Sequence, residues 1–133
     1  MTQHFADTFY FLALRNRRDA AHSQAVELTA LHPWRSLVTT GWVLTEVADA
    51  LAAPANRQGF IDLLSLLRSE GATVVSFDDE LYLRGIDLYG RRPDKAWSLT
   101  DCVSFVVMEE RGIREALTGD RHFEQAGFVA LLM

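Results

Sequence analysis

The sequence predicts an α/β protein with a mainly parallel five-stranded sheet and helices on both faces. Three observations carry this. Five short apolar segments alternate with helical ones along the chain. The connections between them are long enough to return each strand parallel to an earlier one, and such crossovers place helices over the sheet. Hydrophobic residues make up 49% of 133 residues, enough for a real core in a chain near the commonest domain size.

Each element can be justified in order. His4-Phe5-Ala6-Asp7 is the first strand-like stretch, and Thr8 to Leu14 follows it, leading into a polar helix. A helix over Ser23–Leu31 stops before Pro33, which cannot continue it. Ser36-Leu37-Val38-Thr39-Thr40 is the second strand. After Gly41, Val43, Leu44, Val47 and Leu51 share one face of a helix that Pro54 ends. Arg57–Glu70 is a helix with Phe60, Leu63, Leu64 and Leu67 as its inner stripe, closed by Gly71. Thr73-Val74-Val75-Ser76-Phe77 is a β-branched run that predicts a strand buried on both faces. Asp78 or Asp79 caps the next helix, which carries Leu81, Leu83, Ile86 and Leu88. Gly90 to Lys95 is a loop. Ser98 starts a helix through Arg111 that is apolar nearly all round, hence central, and Gly112 ends it. Ala116–Asp120 and Phe128–Leu132 complete the strands. No repeat, low-complexity tract or linker divides the chain, so residues 1–133 read as one domain.

Composition narrows the function classes. A net charge of −5 argues against a general nucleic-acid coat protein, yet not against an enzyme that meets a polyanion through bound metal ions and a local basic rim. The single cysteine, Cys102, excludes an internal disulfide and a cysteine zinc cluster, and reads as a small buried hydrophobe. No 18-residue apolar run is present, and the N-terminus lacks the pattern of a secretion signal, so a cytoplasmic location is expected.

Four carboxylates fall where such a fold builds its ligand site. Asp7 ends the first apolar stretch, Glu46 lies one turn into the helix after the second strand, Asp101 opens the apolar helix, and Asp120 ends a strand. In a parallel sheet the carboxyl ends of the strands share one edge, and ligands bind in the crevice there. Four acidic groups in one crevice repel one another, which makes a cation the natural resident. A carboxylate set without a histidine partner suits hard cations such as Mg²⁺ or Mn²⁺ better than zinc. Such ions orient a water and neutralise a phosphodiester. Each residue also has a plain structural reading: Asp7 as a helix N-cap, Glu46 as a solvated helix residue, Asp101 as the far end of a Ser98–Asp101 capping box, Asp120 as a turn. Asp78 and Asp79 follow a strand too, but their place before Leu81 favours capping.

The stretches around these residues carry a family likeness. The Asp7 strand end, Thr45-Glu46-Val47, Ser98-Leu99-Thr100-Asp101-Cys102-Val103-Ser104-Phe105 and Leu117-Thr118-Gly119-Asp120-Arg121-His122-Phe123-Glu124-Gln125-Ala126-Gly127-Phe128 resemble the PIN-domain family, most closely the VapC-like toxins of toxin–antitoxin pairs. The third and fourth stretches are long and specific, the first two short. The resemblance implies a three-layer α/β/α fold and a Mg²⁺- or Mn²⁺-dependent ribonuclease. It also implies a catalytic, metal-holding quartet of Asp7, Glu46, Asp101 and Asp120. Asp7 and Asp101 would be the principal ligands, and Glu46 and Asp120 would complete the site partly through waters. Thr8, Thr100 and Thr118 are the hydroxyls expected to hold these carboxylates. An RNA substrate, a small cognate antitoxin and a homodimer are implied as partners.

Other residues carry weaker readings. Arg15, Arg17 and Arg18, and Arg91, Arg92 and Lys95, read as solvated charge, with RNA phosphates or an acidic partner segment as the functional alternative. Arg121 and His122 adjoin the expected chemistry; His122 reads as packing or solvated, with phosphate contact as the alternative. Asp49 reads as surface, and Trp34, Trp42 and Trp97 as packing anchors. Phe9-Tyr10-Phe11-Leu12 fits core or a dimer surface. Two further classes share the acid-at-strand-end pattern or the fold. A phosphoacceptor receiver-like domain needs an acidic pair after the first strand and a lysine after the last, whereas Asp7 precedes Thr8 and the only lysine is Lys95. A catalytically silent binding domain is opposed by the intact quartet.

Overall fold

β1 (His4–Ala6) and β2 (Leu37–Thr40) are buried at every position, as strands covered on both faces must be. The structure, a computed structural model, describes residues 2–133; Met1, first residue of the N-terminal stretch read above, lies outside the described residues. With β3 (Thr73–Val75), β4 (Glu115–Leu117) and β5 (Val129–Ala130) these strands form one sheet in the order β3-β2-β1-β4-β5, and all four pairings are parallel. Phosphoacceptor receivers of the flavodoxin type use the order 2-1-3-4-5. The observed order sets that alternative aside.

The helices are α1 (Thr8–Arg15), α2 (His22–Leu31), α3 (Gly41–Ala50), α4 (Arg57–Ser69), α5 (Asp79–Arg91), α6 (Leu99–Arg111) and α7 (Arg121–Gln125). Local chemistry explains their ends. The Thr40 hydroxyl accepts the Val43 amide and starts α3, and the Asp78 carboxylate accepts the Leu81 amide and starts α5. Ser98 and Asp101 form a reciprocal capping box at α6, and Gly112, at φ 65°, closes that helix in the left-handed conformation glycine allows. An aromatic cluster then fixes the last helices: Phe105 meets Trp97 and Phe123 edge-on at 5.0 Å, and Trp97 Nε1 donates to Gln125 Oε1 at 3.0 Å. Trp97 is thus a packing anchor, as expected.

Several expectations need correction. Thr8–Leu14 is itself the first helix rather than a lead into one. The fourth strand ends at Leu117, so Asp120 follows the strand by a short loop. β5 is only two residues long, and α5 runs through Arg91, into the expected loop. β3 is an edge strand, not one buried on both faces: only β2 pairs with it, and Val74 is 39% exposed. Of the apolar residues that α5 carries, Leu81 faces inward together with Gly85, while Leu83 and Ile86 are exposed.

Candidate active site

The chain winds one way from β1 through β2 to β3, then returns to place β4 on the other side of β1. The point where the order reverses, between the carboxyl ends of β1 and β4, is where open α/β sheets bind ligands. Asp7 leaves β1 there, and Thr118 to Asp120 leave β4 there. Glu46 comes in from α3, and the start of α6 brings Ser98 and Asp101. All four expected carboxylates line one cavity of about 690 Å³, together with Thr8, Ser98, Gly119, Arg121 and His122.

The plain and functional readings separate most clearly at Asp7. It occupies the N-cap position of α1, yet its side chain caps nothing. Its Oδ2 instead accepts the Thr118 hydroxyl at 2.8 Å, across to β4. Asp7 is 5% exposed, and burial pushes its carboxyl up to about 7. The Thr118 hydroxyl and the Thr8 amide act against that rise, and the charges of Asp101 and Glu46 add to it. Asp101 is also raised by burial, against the Ser98 amide and the His122 side chain.

The other carboxylates are held as firmly. Glu46, half-buried rather than freely solvated, accepts the Thr8 hydroxyl at 2.6 Å. Asp101 Oδ2 accepts the Ser98 amide at 3.1 Å and lies 3.0 Å from His122 Nδ1. Asp120 Oδ1 accepts the His122 amide at 2.9 Å, and the Thr118 hydroxyl takes the Asp120 amide at 3.1 Å. Asp101 and Asp120 therefore cap helices and line the cavity at once. Among the described residues no lysine or arginine pairs with any of the four. Four clustered carboxylates, two of them buried, are left without a lysine or arginine partner among the described residues, and only the His122 ring stands beside two of them.

The expected surroundings are partly met. Thr8 and Thr118 hold carboxylates as anticipated, whereas Thr100 offers only its carbonyl, to Ser104. Asp49 is exposed and lines no part of the cavity, and Asp78 caps α5. Sequence reasoning missed the role of His122, whose ring joins Asp101 and Asp120 in a cluster with ligand atoms within 4.8 Å of one another. Its place two residues after Asp120 was the available signal. Tyr10 and Phe11 are core, while Phe9 stands 36% exposed at the cavity.

Fold and crevice thus define an α/β protein with an acidic cleft at its switch point. The PIN domain matches residues 5–129, and the chain belongs to the PIN-domain family. It is 30% identical, over 125 residues, to the 23S rRNA-specific endonuclease VapC20 of Mycobacterium tuberculosis, covering 94% of this chain and 95% of that protein. The crystal structure of VapC20, described as a sarcin–ricin loop cleaving toxin, superposes with a TM-score of 0.86 at 28% identity, over 96% of this chain and 97% of that one. FitAcB from Neisseria gonorrhoeae shares the fold, with a TM-score of 0.67 at 14% identity over 96% and 95% of the two chains.

Proposed function

We propose that this chain is a divalent-metal-dependent endoribonuclease and the toxin of a toxin–antitoxin pair. The observation that carries the proposal is the convergence of Asp7, Glu46, Asp101 and Asp120 on one cavity, with no lysine or arginine paired to them, in a member of the PIN-domain family. The donor set fits a hard cation, Mg²⁺ or Mn²⁺: the carboxylates are oxygen donors, and each is held through one oxygen by a protein hydrogen bond. Asp7 and Asp101 would be the principal ligands, with Glu46 and Asp120 completing the set partly through waters. When bound, the metal lowers the pKa of a water and offsets charge on the phosphodiester.

The chain's own residues do the rest. Thr118 and Thr8 fix the rotamers of Asp7 and Glu46, so that the carboxylates need not reorganise when the phosphate arrives. Arg121 lines the cavity, pairs with no carboxylate among the described residues, and is placed to meet an RNA phosphate. Water attacks phosphorus and the bond to the leaving oxygen breaks, so no covalent enzyme intermediate is required.

The relative's action on 23S rRNA makes a structured RNA the first substrate to try. The proposal includes a cognate antitoxin, a homodimer and action in the cytoplasm. In support of a homodimer, α5 carries an exposed apolar stripe of Tyr82, Leu83, Ile86 and Tyr89. No helix is long and apolar enough to cross a membrane.

Purified protein is expected to cut RNA with Mg²⁺ or Mn²⁺ and to stop when EDTA is added. Asp7→Asn and Asp101→Asn should each lower the rate by about 100-fold or more, on the scale of losing a preorganised electrostatic group, while far-UV circular dichroism stays unchanged. Undiminished cutting by both folded variants would remove the site assignment. Co-purification with the product of a neighbouring small reading frame would test the antitoxin.

A further inference from the structure

The ring of His122 has no task in the function proposed above. Its Nδ1 lies 3.0 Å from Asp101 Oδ2 and 3.4 Å from Asp120 Oδ1. A neutral imidazole carries one ring proton, and a proton on Nδ1 points in one direction. It serves one carboxylate oxygen well and the other poorly. With the proton on Nε2, the Nδ1 lone pair faces two acceptors. One nitrogen and two oxygens thus stand together, with ligand atoms within 4.8 Å of one another, and each oxygen already accepts a backbone amide without the ring.

A metal ion would take a lone pair from all three at once. Nitrogen and oxygen ligands sit about 2.0–2.2 Å from a divalent ion of this size, which spaces neighbouring ligands of an octahedron about 3 Å apart. The observed 3.0 and 3.4 Å fall near that spacing. The backbone sets the arrangement: the Ser98 amide holds Asp101 at 3.1 Å, the His122 amide holds Asp120 at 2.9 Å, and buried Phe123 anchors α7 to the core.

The cavity therefore has two unlike halves. Asp7 and Glu46, held by threonine hydroxyls, form an oxygen-only half. We infer that Asp101, Asp120 and His122 form a mixed nitrogen–oxygen cation subsite, with His122 Nδ1 as an inner ligand. This rests on the metal-dependent reading of the site and adds a selectivity to it. Imidazole nitrogen suits first-row transition ions better than Mg²⁺, which prefers oxygen throughout. The subsite would take a transition cation ahead of Mg²⁺.

The test uses the whole chain, stripped with EDTA and loaded with Mn²⁺ alone. Pulsed electron paramagnetic resonance of the bound Mn²⁺ is expected to show ¹⁴N coupling. The other histidines, His4, His22 and His32, line no part of the cavity, so the nitrogen is that of His122. His122→Ala should abolish the coupling and weaken Mn²⁺ binding by about 10–100-fold, with a smaller change for Mg²⁺. His122→Asn, whose side-chain amide can donate to Asp101, should also lose the coupling. Bound Mn²⁺ without ¹⁴N coupling in the wild type overturns this inference alone, and leaves His122 as a residue that positions Asp101. A wild type that binds no Mn²⁺ overturns the metal-dependent reading with it. The wild-type spectrum decides even where a variant fails to fold.

Discussion

At the scale of single residues, Asp7 shows a conflict between stability and chemistry. Its carboxyl is pushed up to about 7 by burial, far above the ordinary carboxylate range. A raised carboxyl binds its proton more tightly in the folded chain than in the unfolded one. Its contribution is therefore fully present below about pH 4 and is lost as pH rises toward 7. In metal-free protein, unfolding free energy should fall across that window, by an amount on the order of 4 kcal/mol from this group. Asp7→Asn keeps an acceptor for Thr118 but carries no charge, so its advantage over wild type should grow from pH 4 to 7.5 in urea titrations with EDTA. A constant difference across that range would contradict the account. Thr118→Val should remove the hydroxyl that holds Asp7 and reduce cation affinity by about 10–100-fold, read by calorimetric titration.

The same residues show what could be read from the chain. The four carboxylates were legible because sheet topology makes strand ends meet. That Asp101 and Asp120 cap helices as well was half legible, since Ser98-Leu99-Thr100-Asp101 spells a capping box. The position of the His122 ring was not legible, because it depends on how α7 is set against α6 through Phe105 and Phe123. No local pattern encodes that contact.

At the scale of elements, α5 and α6 depend on a glycine. Gly85 is buried against α6, and a Cβ there would lie 2.5 Å from Val103 Cγ2 and 3.5 Å from the Val103 backbone. Val103 is fully buried, and a β-branched side chain in a helix has one strongly preferred rotamer, so it cannot swing aside. Overpacking costs about 1–3 kcal/mol, and alanine regains about 1 kcal/mol over glycine in a helix. Gly85→Ala should therefore destabilise by about 1 kcal/mol in urea unfolding; a more stable variant would show that the helices have room to part. This also explains which face of α5 is buried. Leu81, Leu83, Ile86 and Leu88 alone do not select one side, whereas a glycine that admits a neighbouring helix does. The ends of β5 were overrun for a related reason: apolar Phe128, Leu131 and Leu132 flank its two paired residues.

At the scale of the whole molecule, the outer face of α5 poses the question of what covers it. With Leu81, Gly85 and Leu88 turned toward α6, the stripe of Tyr82, Leu83, Ile86 and Tyr89 stands 39–62% exposed. Together these side chains present about 400 Å² of apolar surface, the size of the largest patch on a typical monomer, which is often functional. A stable interface buries about 800 Å² on each partner, with an apolar centre and a polar rim. The stripe has the size of such a centre, and Arg84, Asp87 and Arg91 beside it supply charges of both signs for a rim. In the proposed homodimer two copies would meet here by the self-complementary contact that twofold symmetry requires. Leu83→Glu combined with Ile86→Glu places two charges in that centre without touching the face on α6. Light scattering during size-exclusion chromatography should then read the single-chain mass of 15.0 kDa, where the wild type reads twice that. A double variant that stays dimeric would move the interface elsewhere on the molecule.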